Sequence, residues 1–169
     1  MARISESVTI EAEREAVFDL ISRVEAFPLY ADALKEVEKI GYRTYRWVAR
    51  VHGFALSWDS TITEFRRPVR LAWRSIRGFK NSGTYKLTKV AGGTKVELSI
   101  GYSFEGGRIG ELMEGLVAPV TRVAAAAILQ RVKERLERRS SGISAKENMH
   151  RDPKVSRALA KMRHIDRRA

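Results

Sequence analysis

The sequence has no cysteine among its 169 residues. This absence excludes a disulfide framework, thiolate catalysis and a cysteine-ligated zinc site. Histidine is scarce as well, because there are three in all and two of them, His150 and His164, lie near the C-terminus. Since histidines and carboxylates do not cluster along the chain, we expect no metal site and no bound cofactor.

The sequence also lacks a long apolar run. No stretch approaches the roughly 18 uninterrupted apolar residues of a membrane span. The N-terminal stretch "MARISESVTI" is charged and has no apolar segment, so we expect no signal peptide. These absences predict a soluble cytoplasmic protein, and they leave open a peripheral position at the inner face of the membrane.

Acidic residues are too few to balance the basic ones. The chain has 32 Lys and Arg against 20 Asp and Glu, a formal net charge of +12. This balance favours an anionic partner such as nucleic acid, the ribosome or an anionic membrane surface. The excess is densest over residues 140–169, which contain eight basic and three acidic residues.

Most of the first hundred residues alternate apolar and polar side chains with a period of two. In "VRLAWRS", Leu71 and Trp73 fall on one face and Arg70 and Arg74 on the other. Six such segments, separated by turn signals, predict an antiparallel sheet with one dry face and one wet face. Because Trp73 and Arg74 point to opposite sides, the pattern disfavours a platform of rings and cations for single-stranded nucleic acid.

Helical periodicity appears in three places. "EREAVFDLIS" predicts a short amphipathic helix after the first strand, and "VEAFPLYADAL" a second one broken near Pro28. The segment from Ile109 to about Arg139 predicts a long helix over the dry face, kinked at Pro119. Its run of small residues, Ala124 to Ala127, fits either close helix–sheet contact or room for a ligand.

The last 30 residues form a separate basic tail. We predict one domain over residues 1–139 and a tail over 140–169, in which "SSGISAKEN" is a linker. Asp152 and Pro153 would start a short amphipathic helix. Such a helix fits an anionic membrane or RNA, and docking on the body or disorder remains an alternative. The basic residues of this surface are Lys154, Arg157, Lys161 and Arg168.

The order of these segments resembles that of a known superfamily. "VTIEAEREAVFDLISRVEAFPLY", "LAWRSIRG…NSGTYKL" and "GGTKVELSIGYSFEGGRIGELM" are similar to the opening, central and closing segments of START-related proteins. These include polyketide cyclase/dehydrase-like proteins, coenzyme-Q-binding proteins and the birch pollen allergen. The resemblance covers about residues 4–137. It implies an α+β helix-grip fold, in which a curved antiparallel sheet wraps around a long, kinked C-terminal helix.

The resemblance also implies an apolar cavity between the sheet and the long helix. Its ligand would be a lipid, an isoprenoid quinone or a polyketide-like molecule. Independently of the resemblance, helix N-termini attract anions, so Arg108 and the amides after Gly107 are a candidate contact for a ligand head group, with a plain tight turn as the alternative. The inward residues expected to line the cavity are Tyr45, Trp47, Trp58, Trp73, Tyr85, Leu98, Ile100, Tyr102, Leu116, Val120 and Ala124.

Catalytic chemistry has no positive signal in the sequence. Some relatives are cyclases or dehydratases, which need an acid or base inside the cavity. Alternation turns Asp59, Glu97 and Lys95 outward, and Ser60 inward without a neighbouring histidine. The segment "FEGGRIGE" does not match the spacing of a dinucleotide-binding loop. Three hypotheses remain: a carrier of a hydrophobic small molecule, a cyclase- or dehydratase-type enzyme, and a ribosome- or RNA-associated protein. The oligomeric state stays open.

Overall fold

The computed structural model describes residues 2–151, and the side chains of the last helix through Arg139. Residues 2–136 form one compact unit, and the part of the last helix from Glu137 to Arg151 belongs to a second. The helical elements are α1 (Arg14–Ile21), a 3₁₀ helix (Val24–Leu29) and α2 (Arg108–Arg151). The strands are β1 (Ala2–Ile10), β2 (Leu34–Gly41), β3 (Thr44–Val51), β4 (Phe54–Arg66), β5 (Arg70–Gly78), β6 (Lys80–Val90) and β7 (Gly93–Ser103).

The seven strands form one sheet in the order β1-β7-β6-β5-β4-β3-β2. Every neighbouring pair is antiparallel. Consecutive strands from β2 to β7 are joined by short turns. Strand β1 pairs with β7 and forms the edge of the sheet opposite β2. The predicted α+β architecture is confirmed: one antiparallel sheet, two short helical segments after the first strand, and a long C-terminal helix.

The period-two pattern of the sequence corresponds to the buried and exposed faces of the sheet. In β3, the buried residues are Tyr45, Trp47, Ala49 and Val51, and the residues between them are exposed or half-buried. In the stretch around Trp73, the indole packs against the Tyr85 ring, with 5.6 Å between ring centroids, whereas Arg74 is exposed. The tryptophan and the arginine therefore lie on opposite faces, as alternation predicts.

Strand β4 departs from strict alternation at a bulge. The register shifts between Ile62, which pairs with Trp73, and Glu64, which pairs with Ala72. The extra residue turns the following side chains over, because one inserted residue exchanges the two faces. Phe65 consequently packs edge-on against Phe18 of α1, at 5.1 Å between ring centroids. Simple alternation from Trp58 would have placed Phe65 on the opposite face.

Helix α2 covers the inner face of the sheet. Its start follows a turn in which Gly106 and Gly107 have φ values of 111° and 56°, a region that favours glycine. The helix continues through Pro119 without interruption. By length and composition alone, its segment Arg108–Arg139 is long and apolar enough to cross a membrane. However, one side of the helix is packed into the protein core, through Val117, Ala125, Ile128, Leu129, Val132 and Leu136.

The backbone over residues 140–148 is helical, although the sequence predicted a linker there. Serine and glycine disfavour a helix interior by at most about 1 kcal/mol per residue, and extending an existing helix costs less than starting one. The predicted helix start at Asp152 lies outside the described residues. So do the four basic residues assigned to the tail surface, Lys154, Arg157, Lys161 and Arg168.

Candidate functional site: an apolar cavity between the sheet and α2

An apolar cavity of about 120 Å³ lies between the inner face of the sheet and α2. Strands β3 to β7 supply one wall, the 3₁₀ helix and the start of β2 close one end, and α2 supplies the other wall. The lining is hydrophobic apart from two hydroxyl groups on tyrosines, one threonine, one asparagine and the indole nitrogens. The lining includes Phe27, Trp47, Trp58, Trp73, Phe79, Tyr85, Tyr102, Thr121 and Ala124.

Stacked rings make the sheet wall rigid. The indoles of Trp47 and Trp58 lie parallel, 5.7 Å apart at their centroids and 6° apart in plane. Phe79 meets Trp58 edge-on at 5.7 Å. Trp47 also donates a hydrogen bond from Nε1 to Oγ of Ser60, at 2.8 Å. Such ring pairs add to the stability gained by burial, so this wall holds its shape.

Trp73 takes its position on the cavity wall because its neighbour in β6 is a glycine. Trp73 pairs with Gly83 across β5 and β6. A Cβ atom at Gly83 would lie 2.1 Å from the indole carbon Cζ2. The indole therefore lies over the Gly83 backbone, where any other residue would displace it. Its Nε1 donates to Oδ1 of Asn81 at 3.3 Å, which orients the ring.

The helix wall is thin where the alanines lie. Ala124 and Ala125 both line the cavity, between the larger side chains of Val120 and Ile128. Ala125 is buried in the packed contact with the sheet, whereas Ala124 is half-buried. Ala125 thus fits the interpretation of close helix–sheet contact, and unfilled space lies beside Ala124.

The structure brings nine of the eleven expected lining residues to this cavity. Two expectations were wrong. Tyr45 lies two residues before Trp47 in β3, beside Ser60 and Ile62, where it lines a separate void of about 20 Å³. Leu116 is 41% exposed, because on a helix it points about 100° away from Val117, which is the residue facing the sheet. The nine are Trp47, Trp58, Trp73, Tyr85, Leu98, Ile100, Tyr102, Val120 and Ala124.

Several lining residues were not expected from the sequence. Phe27 falls in the segment predicted as a short helix broken near Pro28, for which no inward face was assigned. Phe79 follows the glycine that ends β5, outside any alternating run. Asn81 and Thr121 are polar and were not expected on an apolar wall. Thr121 fits there because its hydroxyl donates to the carbonyl of Val117 at 3.0 Å, one helical turn back.

Residues 1–137 match the family described as polyketide cyclase / dehydrase and lipid transport. The chain belongs to this family. The matched range contains the whole sheet, both short helical segments and the part of α2 that lines the cavity. No curated protein matches the sequence.

Solved structures support the same assignment at the level of the fold. A protein from Thermus thermophilus is 23% identical, with a TM-score of 0.72, and the match covers 82% of this chain and 99% of that one. A START superfamily protein from Mycobacterium smegmatis is 15% identical, with a TM-score of 0.66 and coverage of 78% and 97%. The Zhui aromatase/cyclase from a Streptomyces species is 16% identical, with a TM-score of 0.64 and coverage of 79% and 94%. The resemblance to START-related proteins is confirmed.

In this family member the ionisable groups lining the cavity are two tyrosines. Burial raises the pKa of Tyr85 far above its ordinary value. Burial also raises the pKa of Tyr102, and the carboxylate of Glu114 raises it further. Both hydroxyls therefore stay protonated at neutral pH and act as neutral hydrogen-bonding groups. Ser60 is 2% exposed and accepts the hydrogen bond from Trp47, which gives this serine a packing role.

Other polar groups considered in the sequence lie away from the cavity. Asp59 forms an ion pair with Arg46 on the outer face, at 3.0 Å between Nε and Oδ1. Arg108 is exposed at the start of α2 and does not line the cavity. Within the described part of the chain, His, Asp and Glu side chains do not gather into a group that would hold a metal ion.

A surface groove of about 340 Å³ runs beside the cavity, between α2 and the segment after α1. The groove and the cavity share three wall residues, Ala33, Val120 and Ala124. Two exposed apolar side chains, Leu29 and Val123, flank it. The groove therefore lies directly against the outside of the cavity wall.

A larger depression, of about 900 Å³, lies on the outer face of the sheet. It is open and polar, with serines and threonines on its floor. Two of its cations are already paired: Arg70 with Glu64 at 2.6 Å, and Lys86 with Glu97 at 3.9 Å. Its shape and polarity suit solvent better than a hydrophobic ligand, so the smaller inner cavity is the candidate site.

Proposed function

We propose that this protein binds and carries a hydrophobic small molecule, with the apolar part of the ligand in the cavity and the remainder along the groove. The observation that best supports this proposal is the unfilled cavity between the aromatic residues of the sheet and α2. Protein interiors are close-packed, and sites for small molecules are apolar clefts with a few polar groups. The family's description, which includes lipid transport, agrees with this proposal.

The volumes restrict how a ligand would fit. Engineered cavities of about 150 Å³ hold benzene, so the inner cavity of about 120 Å³ accepts one ring or a short aliphatic segment. A lipid, an isoprenoid quinone or a polyketide-like molecule needs the groove as well. Ligand pockets usually measure about 300–1,000 Å³, and the groove alone reaches that range.

Binding is better supported than catalysis. A cyclase or dehydratase mechanism needs a group that takes or gives a proton near neutral pH. The cavity presents two tyrosines whose raised pKa values keep them un-ionised at neutral pH, so they are weak acids and supply no ionised base. The family's description includes cyclases and dehydrases, but the lining of this cavity favours a carrier.

Native mass spectrometry of freshly purified protein, followed by lipid extraction, tests the proposal. We expect a bound apolar molecule at near one-to-one stoichiometry that is released on denaturation. Recombinant protein stripped of this molecule should take it up again and unfold at a higher temperature, since a ligand that binds only the folded state stabilises it. Protein that emerges free of ligand and does not bind the extracted lipids would contradict the proposal.

The basic tail supports a second part of the proposal, an anionic lipid surface as partner. Residues 140–169 carry a formal charge of about +5. The sequence spacing of Val155, Leu159 and Met162 adds an apolar side, which an RNA contact would not require. We propose a cytoplasmic protein that contacts the membrane peripherally through this tail.

Charge neutralisation in the tail tests the membrane contact. Each Lys or Arg near an anionic surface is worth about 1 kcal/mol, so removing four should weaken binding to phosphatidylglycerol vesicles by about three orders of magnitude. Binding to phosphatidylcholine vesicles should be weak throughout. The tail variant combines Lys154→Gln, Arg157→Gln, Lys161→Gln and Arg168→Gln.

A matched variant of the sheet controls for net charge. It removes four exposed cations from the strands and should keep most of the vesicle binding. Equal losses in both variants would show a general charge effect, and tight binding of RNA with no binding of vesicles would contradict the membrane assignment. The control combines Arg3→Gln, Arg74→Gln, Arg77→Gln and Lys89→Gln.

A further inference from the structure

The phenolic hydroxyl of Tyr102 has no role in the packing of the fold. Tyr102 is 1% exposed, and its Oη atom is buried with no hydrogen-bond partner among the described residues. A buried hydroxyl without a partner loses its bonds to water and gains nothing in return. A phenylalanine would give the same ring packing without that cost. Buried polar groups in native proteins nearly always have a partner, so this one calls for an explanation.

The surroundings of Tyr102 are otherwise apolar. Its ring lies 5.9 Å from the Phe79 ring and packs in a cluster with Ile4, Val51 and Val117. Tyr102 lines the cavity, at the end of β7 that faces the first turns of α2. Because the pKa of Tyr102 is raised, its hydroxyl keeps its proton at neutral pH and can donate a hydrogen bond. The side chains packed around its ring in this cluster are apolar.

Asn81 and Thr121, two other polar residues on the cavity wall, already have partners. Oδ1 of Asn81 accepts from Trp73, and its Nδ2 donates to the carbonyl of Phe79 at 3.0 Å. The hydroxyl of Thr121 donates to the carbonyl of Val117. Their donors are engaged in holding the wall together. Tyr102 differs from them because its donor is buried and unused.

We propose that Tyr102 donates a hydrogen bond to a carbonyl oxygen of the ligand and so selects the ligand class. The site then prefers an apolar molecule that carries a ketone, quinone or ester carbonyl over a hydrocarbon of the same shape. This inference rests on the proposed binding function, which it makes more specific. A polar group that a ligand leaves unpaired in an apolar site is a strong basis for discrimination.

Two probes that fit a single-ring cavity and differ in one group test the inference. Acetophenone has a carbonyl where α-methylstyrene has a C=CH₂ group of nearly the same shape. Their affinities are measured by isothermal titration or NMR titration for the natural protein and for Tyr102→Phe. We expect the substitution to weaken acetophenone binding about three- to tenfold and to leave α-methylstyrene within about twofold.

Tyr45→Phe is the matched control, because Tyr45 is also a buried tyrosine of the inner face but lies outside the cavity. It should change neither affinity. If Tyr102→Phe weakens both probes equally or neither, the inference is overturned while the binding function stands. If the natural protein binds neither probe, the inference and the proposed binding function both fail.

A measurement on the natural protein avoids any dependence on a variant that fails to fold. The carbonyl stretch of ¹³C-labelled acetophenone is recorded by difference infrared spectroscopy in the bound state and in hexane. A hydrogen bond from Tyr102 lowers the stretching frequency of the bound ketone. A bound ketone whose band stays at the hexane position would overturn the inference.

Discussion

Replacing Ala124 with tryptophan is expected to lower the affinity for apolar probes such as α-methylstyrene at least tenfold. Ala124 lines the cavity and also the wall shared with the groove. An indole placed there occupies cavity space that a benzene-sized ligand would fill, and it also covers the wall shared with the groove. The same titration used for the natural protein measures the loss.

Ala126→Trp provides the matched control, because Ala126 lies two residues away on the exposed side of α2. It introduces the same side chain into the same helix without entering the cavity, so the affinity should stay within about twofold. Overpacking at residue 124 costs about 1–3 kcal/mol, and thermal unfolding of both variants shows whether each is folded. A folded Ala124→Trp protein with unchanged affinity would place the ligand site elsewhere.

Replacing Phe27 with alanine is expected to produce the largest change in stability. Phe27 is 6% exposed, and its ring lies 5.9 Å from Trp47 and 6.3 Å from Tyr85. Removing a buried phenylalanine costs about 3–5 kcal/mol, because burial is lost and a cavity remains. In a protein of this size the melting temperature should fall by about 10 °C. Denaturant unfolding gives the free energy directly.

Leu29→Ala controls for truncation within the same 3₁₀ helix. Leu29 is 74% exposed, so its removal should change stability by less than about 0.5 kcal/mol. Phe27→Ala has a second expected consequence, since it enlarges the cavity that Phe27 lines. Benzene should therefore stabilise this variant more than it stabilises the natural protein. Equal destabilisation by the two substitutions would mean that Phe27 does not anchor the aromatic wall.

The three aromatic residues contributed by β3, β4 and β5 were predictable from the sequence. Trp47, Trp58 and Trp73 each occupy an inward position in an alternating segment, and all three line the cavity. Alternation of side chains depends only on the backbone of the strand itself, so it can be predicted without knowing which strands pair with it. It failed where a bulge entered β4, because the register shift that moves Phe65 depends on pairing with β5.

The polar chemistry of the cavity was not predictable in the same way. Tyr102 was recognised as an inward residue, but the isolation of its hydroxyl follows from what the neighbouring strands and α2 leave unpaired. Asn81 and Thr121 fit the wall only because a carbonyl and an indole lie within hydrogen-bonding distance. No local pattern reports such distances.

The sequence alone determined the class of fold, the inward face of each regular strand and the position of the long apolar helix. These depend on periodicity, which is a property of short stretches of chain. Only the tertiary structure decided which inward residues meet, why Leu116 and Tyr45 lie outside the cavity, and that about 120 Å³ stays unfilled. A void is the difference between the space that the elements enclose and the side chains that fill it, so it depends on the angle and distance between elements far apart in the sequence.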